Sequence, residues 1–425
     1  MAEAVTVEES GLPGTSRVRF RPLTFRQEGP EYVVGCRDIS VYLSVPTVGV
    51  DVIRMLDGGA TIDEVERKFA SLPPDERPDV SDFVTSLADV GLVAELDGKP
   101  VPYEAPEPEE GTGIPILRGM RGEHVRWLFS RPALVLHAAA FVAVVVLLAL
   151  HPSYFPLSRD FFVLPWLSIN TVLVAVTSVL AVFIHEVAHV AAARAMGVDG
   201  RVNIGRRLWI PVAQTNLGEI WELSRGARIL VFLAGMILNT WLLLACLLIV
   251  LNTGPSPWQA WLRLVMITMF YGIASQFVFI VKTDLHYVLA DVFYARNLME
   301  QSREYLEGIA GKIIPGLCPA PDLSQLPAVE RRFIRVYAWA TVFGLGLAVV
   351  LFFTYALPFA VRSIGTSVIA LFTSHSLDRQ ADSVLTLLLF GINLGMVGYV
   401  LWRDQLRKRF RRAPVPEPAL ELPTA

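Results

Sequence analysis

Ala181-Val182-Phe183-Ile184-His185-Glu186-Val187-Ala188-His189-Val190 closes an apolar run that begins at Leu167. Residues four apart share one face of a helix, so His185 and His189 point the same way. Two imidazoles at that spacing can hold one zinc ion, and Glu186 between them can take a proton from a bound water. Ionisable side chains are costly in a membrane helix and usually functional there. The stretch therefore points to metal-dependent peptide hydrolysis inside a bilayer or at its edge. The plain alternative is a structural cluster of polar side chains.

Working outward, the composition agrees with a membrane chain. Of 425 residues, 53% are hydrophobic and 18% charged, with a mean hydropathy of +0.48. That is too apolar for an ordinary soluble protein, and the length allows two or three domains. A formal net charge of −3 leaves no basic footprint for nucleic acid. Residues 1–45 carry charges throughout and lack an apolar signal core, so the start is expected to stay in the cytoplasm. Cys36, Cys246 and Cys318 are scattered without metal or disulfide spacing, and are expected to be unreactive thiols.

Residues 1–16 read as a flexible start and 17–97 as a small soluble α+β unit. Val18-Arg19-Phe20, Tyr32-Val33-Val34 and Ile39-Ser40-Val41-Tyr42-Leu43 have strand character. Val48 to Leu56 reads as a helix closed by Gly58-Gly59, and Thr61-Ile62-Asp63-Glu64 as a capping box opening a second helix through Phe69. Val80 to Leu87 is a third helix, with Gly91 past its end and a strand at Leu92-Val93-Ala94. This order suggests a winged-helix-like domain. Residues 98–115 are Pro- and Glu-rich and read as a linker. The segment 116–412 is the membrane domain, and 413–425 a Pro-rich disordered tail.

Expected spans lie at about 132–150, 167–194, 227–251, 258–281, 335–360 and 383–402, each near the ~20 apolar residues a bilayer requires. The fifth runs long and is expected to tilt or break near Pro358; 364–373 is too short to span and reads as re-entrant or interfacial. Basic residues cluster before the first span (Arg118, Arg121, Arg126, Arg131) and after the last (Arg403, Arg407, Lys408, Arg409, Arg411, Arg412). They also cluster between spans two and three (Arg201, Arg206, Arg207, Arg225) and between four and five (Arg296, Arg303, Lys312, Arg331, Arg332). The other loops are poorer, with Arg159, Arg263 at the start of span four, Arg362 and Arg379. Six transmembrane helices with both termini cytoplasmic fit this pattern. Trp221, Trp258 and Trp261 are expected as interfacial anchors, and Arg206-Arg207-Leu208-Trp209-Ile210-Pro211 as a hairpin near the site that could present an extended substrate.

His185 lies 18 residues beyond Leu167, about 27 Å along the helix axis, near the cytoplasmic edge. A catalytic zinc takes a third protein ligand and keeps a position open for water. Span four runs the same way and ends at Lys282-Thr283-Asp284-Leu285-His286-Tyr287, so Asp284 reaches the same depth. His286 and Asp291 are the other candidates, after Asp284 in that order. Asn239 is a polar residue within span three, read either as an interhelical hydrogen bond or as a donor facing the site.

These three segments resemble the site-2 protease family of membrane zinc metalloproteases. The family's HExxH helix reads here as His185–His189, its Ala-Gly-(Pro)-x-x-Asn helix as Ala234–Asn239, and its third-ligand helix as Asp284. Thr283 to Asp291, with Arg296-Asn297-Leu298 after it, resembles the peptide zinc metalloprotease branch. The resemblance implies His185, His189 and Asp284 as zinc ligands, Glu186 as catalytic base, Asn239 as an assisting catalytic residue, and residence in a bacterial cytoplasmic membrane. Met236 stands where the family has proline, and Leu285 where it has glycine. The N-terminal layout with Leu56-Asp57-Gly58-Gly59-Ala60-Thr61-Ile62-Asp63-Glu64-Val65 resembles the PqqD-like peptide-recognition domain, which implies a leader peptide of a ribosomally made, modified peptide as partner. A peptide or membrane-protein substrate and the lipid bilayer are the expected partners. The rival expectation is a non-catalytic membrane scaffold that binds or exports a peptide around a silent metal site. A transporter subunit is disfavoured by the lack of a P-loop and of inverted repeats.

Overall fold

The computed structural model describes residues 12–29, 31–39, 41–73, 77–103, 120–198, 201–207, 210–216, 218–293, 298–311 and 328–411. The chain begins with strands β1 (Val18–Phe20), β2 (Thr24–Glu28), β3 (Glu31–Cys36) and β4 (Val41–Pro46). Helices α1 (Thr47–Asp57), α2 (Ile62–Phe69) and α3 (Val80–Asp89) follow, then β5 (Val93–Leu96) and β6 (Lys99–Pro100). The strands form two antiparallel sheets, ordered β1-β5-β6 and β2-β3-β4. One apolar core joins them to the helices through Val34, Val52, Ile53, Leu56, Val65, Val80 and Leu92. The predicted capping box is formed: Thr61 accepts from the Glu64 amide, and Glu64 accepts from the Thr61 amide.

Two boundaries and one strand differ from expectation. The described part of the expected flexible start is packed, with Ser16 buried and hydrogen-bonded to Asp97. The unit also runs past residue 97: Lys99 and Pro100 pair with β5, and Val101 is buried in the core. Strand β2, Thr-Phe-Arg-Gln-Glu, went unforeseen because it has one apolar residue and buries neither face deeply. Residues 1–11, most of the expected linker (104–115), Cys318 and the tail 413–425 lie outside the described residues.

After a short helix α4 (Gly122–Val125), the helical part comprises α5 (Arg131–Leu150), α6 (Leu167–Ala195), the hairpin β7 (Arg201–Arg207) and β8 (Ile210–Asn216), α7 (Arg225–Asn252), α8 (Pro257–Ser275), α9 (Asp284–Phe293), α10 (Leu298–Gly311), α11 (Ala328–Leu351), α12 (Leu357–Thr373) and α13 (Leu377–Arg411). Helix α7 packs against α5, α6, α8 and α9 and is the pillar of the bundle. Among the described residues, five helical stretches are long and apolar enough to cross a membrane: 131–150, 167–195, 225–252, 331–373 and 377–403. Only 11% of the most apolar stretch of α6 and 6% of that of α13 are buried inside the protein. Surfaces so apolar all round need an apolar surrounding.

The expected fourth span is corrected. Helix α8 ends at Ser275, and 276–283 is irregular backbone. The apolar run Phe277 to Val281 continues the composition of a span without its conformation. Gly344 explains how the irregular strand of chain is accepted: a Cβ there would stand 2.7 Å from the Phe277 carbonyl oxygen. The expected fifth span and the short piece 364–373 are one continuous helical run. Pro358 cannot donate to that ladder, and a π-helical turn at Phe352–Ala356 absorbs the defect.

At its N-terminal end, α6 has no side-chain cap of its own; Asp382 of α13 accepts from the Leu167 and Ser168 amides, each at 3.0 Å. The carboxylate satisfies orphan donors and meets the positive end of the helix dipole. Trp258 and Trp261 are exposed on α8, whereas Trp221 is half-buried over the Arg228 guanidinium, 5.2 Å from ring centre to Cζ.

Candidate metal centre

His185 and His189 are buried on one face of α6, and Asp284, the first residue of α9, meets them. Asp284 Oδ2 lies 2.9 Å from His185 Nε2 and 3.4 Å from His189 Nε2. All three ligand atoms fall within 4.8 Å of one another. Tetrahedral ligands about 2.0 Å from an ion stand about 3.3 Å apart, so the spacing suits one small cation.

The polar partners favour the same conclusion. His189 Nδ1 donates to the Val231 carbonyl at 2.7 Å, which leaves its Nε2 with a lone pair aimed at the cluster. That Nε2 is buried and has no hydrogen-bond partner. Asn239 Nδ2 lies 3.1 Å from His185 Nδ1, while Asn239 Oδ1 is buried without a partner. A cation on His189 Nε2 answers the first orphan. A half-turn of the Asn239 amide answers the second, because Oδ1 then accepts from His185 Nδ1–H and frees Nε2 for the same cation. Two neutral imidazoles and a carboxylate are a donor set that zinc takes.

Asp284 is held from behind by Gln276, whose side-chain oxygen accepts from the Asp284 amide at 3.0 Å and whose carbonyl accepts from the Thr283 hydroxyl at 2.8 Å. Burial pushes the Asp284 carboxyl up, but the adjacent His185 and His189 imidazoles outweigh it and hold it well below the usual carboxylate range. Glu186 is half-buried on α6, one residue after His185 and three before His189.

The other ligand candidates are turned away. His286 Nδ1 lies 2.5 Å from the Tyr337 hydroxyl of α11, and burial pushes its imidazole down to about 4. Asp291 binds Arg228, with Oδ2 2.8 Å from Nε and Oδ1 3.0 Å from Nη2. Leu285 lies in the first turn of α9 with ordinary helical backbone, so the site needs no glycine there. Met236 continues α7 unbroken.

Sequence reasoning named Asn239 but passed over the rest of the α7 face that supports the site. Arg228, Val231, Gly235 and Asn239 are spaced three, four and four apart and therefore share one face. Gly235 gives His185 its room: a Cβ there would stand 2.3 Å from Nε2. Replacing Gly235 by Ala is expected to displace the imidazole and weaken metal binding by about 10–100-fold, the usual cost of disturbing a ligand's support. Competition with a chromogenic chelator would measure it; an unchanged affinity would show that the ring can move without loss. The small residue in an apolar helix was visible in the sequence, but nothing marked what it faced. No family model, curated protein or solved structure matches this chain.

Proposed function

We propose that the chain is a zinc metalloprotease embedded in a membrane, hydrolysing a peptide bond of a peptide or membrane-protein substrate near the cytoplasmic face. The observation that carries this reading is the meeting of His185, His189 and Asp284 from two separate helices, with His189 Nε2 buried and unpartnered. The five long apolar helices support the membrane setting.

His185, His189 and Asp284 would hold the ion. Zinc bound there would polarise the scissile carbonyl and lower the pKa of an adjacent water. Glu186 removes a proton from the attacking water and returns it to the departing amine nitrogen. Asn239 touches His185 rather than an open site, so its part is to fix the imidazole's orientation and tautomer. The Val231 carbonyl does the same for His189. The N-terminal unit, in its resemblance to peptide-recognition domains, would hold a substrate beside the site and raise its local concentration. Maturation of a ribosomally made, modified peptide is the setting this combination suggests.

The test is hydrolysis of a fluorogenic peptide library by the full chain purified in detergent. Cleavage that a zinc chelator stops and added zinc restores is expected. Cleavage insensitive to the chelator would refute the reading. Peptide binding without any cleavage would favour the scaffold alternative.

A further inference from the structure

Among the described residues Arg228 is the largest fully buried side chain, 1% exposed in the first turn of α7. All five of its N–H donors are used. Nε and one Nη2 proton go to Asp291 of α9, Nη1 and the other Nη2 proton go to the Glu28 carboxylate of β2, and Nη1 also donates to the Leu223 carbonyl at 3.2 Å. One cation thus joins the N-terminal unit to the helix that carries Asp284. A second contact lies beside it: Glu222 accepts from the Tyr42 hydroxyl at 2.9 Å, its carbonyl accepts from Arg26, and Arg37 stands 3.9 Å from its carboxylate. The signs are reciprocal, with Glu28 reaching the Arg228 cation and Arg37 reaching the Glu222 anion, while Arg26 stands 3.8 Å from Glu28. Arg26 and Glu28 lie two apart on β2 and so face the same way.

The placement of this clamp gives it a consequence at the metal centre. Asp291 lies two helical turns after Asp284, so tying it to α7 fixes the short helix α9 at one end while Gln276 holds the other. Arg228 is also three residues before Val231 on the α7 face that orients His189. With Glu28 seated, the two carboxylates share a single guanidinium. With Glu28 withdrawn, the guanidinium keeps Asp291, the Leu223 carbonyl and the Trp221 ring, and its Glu28 side opens to water.

We infer that Glu28, Arg228 and Asp291 form a docking-dependent latch: seating the N-terminal unit locks α9 and so positions Asp284, and lifting that unit loosens the third ligand. Arg228 and Glu28 are positioning residues. The inference rests on the zinc-site reading for its effect at Asp284, while the latch itself can be read without metal.

The experiment is amide hydrogen exchange on the full chain, metal-free and zinc-loaded, comparing wild type with Glu28→Gln and Glu28→Asp. In Glu28→Gln, amides of residues 284–293 are expected to exchange about tenfold faster, as local opening becomes easier when one charge-assisted contact of the latch is lost. Amides of α1 and α3 should keep their protection, which separates undocking from unfolding. Glu28→Asp, which keeps the charge, should restore most of the protection. Unchanged exchange across 284–293 in Glu28→Gln would overturn the latch. Faster exchange there in protein that binds no zinc would uphold the latch and refute the zinc reading instead. In zinc-binding protein, Glu28→Gln should also lower zinc affinity several-fold by chelator competition; an unchanged affinity would overturn the coupling to Asp284.

Discussion

Glu186→Gln is expected to retain zinc and lose peptide hydrolysis by about 10²–10⁴-fold, the usual contribution of a positioned general base. The amide is nearly isosteric with the carboxylate and cannot accept the proton of the attacking water. Glu186 is not among the three atoms that converge at the cluster, so the metal-binding set is left intact. Measuring kcat and zinc content on the same purified variant checks both halves. Hydrolysis at the wild-type rate would remove Glu186 from the chemistry. Loss of zinc along with activity would make it a ligand rather than a base.

Asp284→Ala is expected to have the larger effect on the metal, lowering zinc affinity by more than the ~100-fold that loss of a ligand's support can cost. The remaining His185 and His189 are two ligands where a catalytic zinc uses three. No neighbour can step in cheaply. His286 is engaged with Tyr337, and Asp291 is held by Arg228. His286→Ala therefore serves as the control and should keep its zinc. If Asp284→Ala bound zinc as wild type does while His286→Ala did not, the third ligand would be His286, and α9 would have to turn to supply it.

Local spacing made the two histidines legible, because residues four apart on a helix must meet. Asp284 was legible because the apolar run after Pro257 was expected to end at the level of the two histidines, and a carboxylate lies just past it. What sequence could not reveal is contact between distant parts. Glu28 and Arg228 are 200 residues apart, and no periodicity links them. The Val231 carbonyl is backbone, so no side chain marks it. Gly235 shows only as a small residue in an apolar helix, and its purpose is the ring it faces. The end of α8 was misjudged for a related reason. Phe277 and Phe279 are apolar because they pack against α10 and α11, on backbone that is irregular rather than helical. Apolar composition reports burial, and only the pattern of hydrogen bonds tells helix from irregular chain. Met236 and Leu285, the two departures from the family pattern, are both accommodated by ordinary helical backbone.

The most direct measurement is zinc per chain in the full-length protein purified in detergent and equilibrated with limiting free zinc. About one zinc per chain is expected, in keeping with one site of three protein ligands. No bound zinc, even after it is added back, would contradict the account.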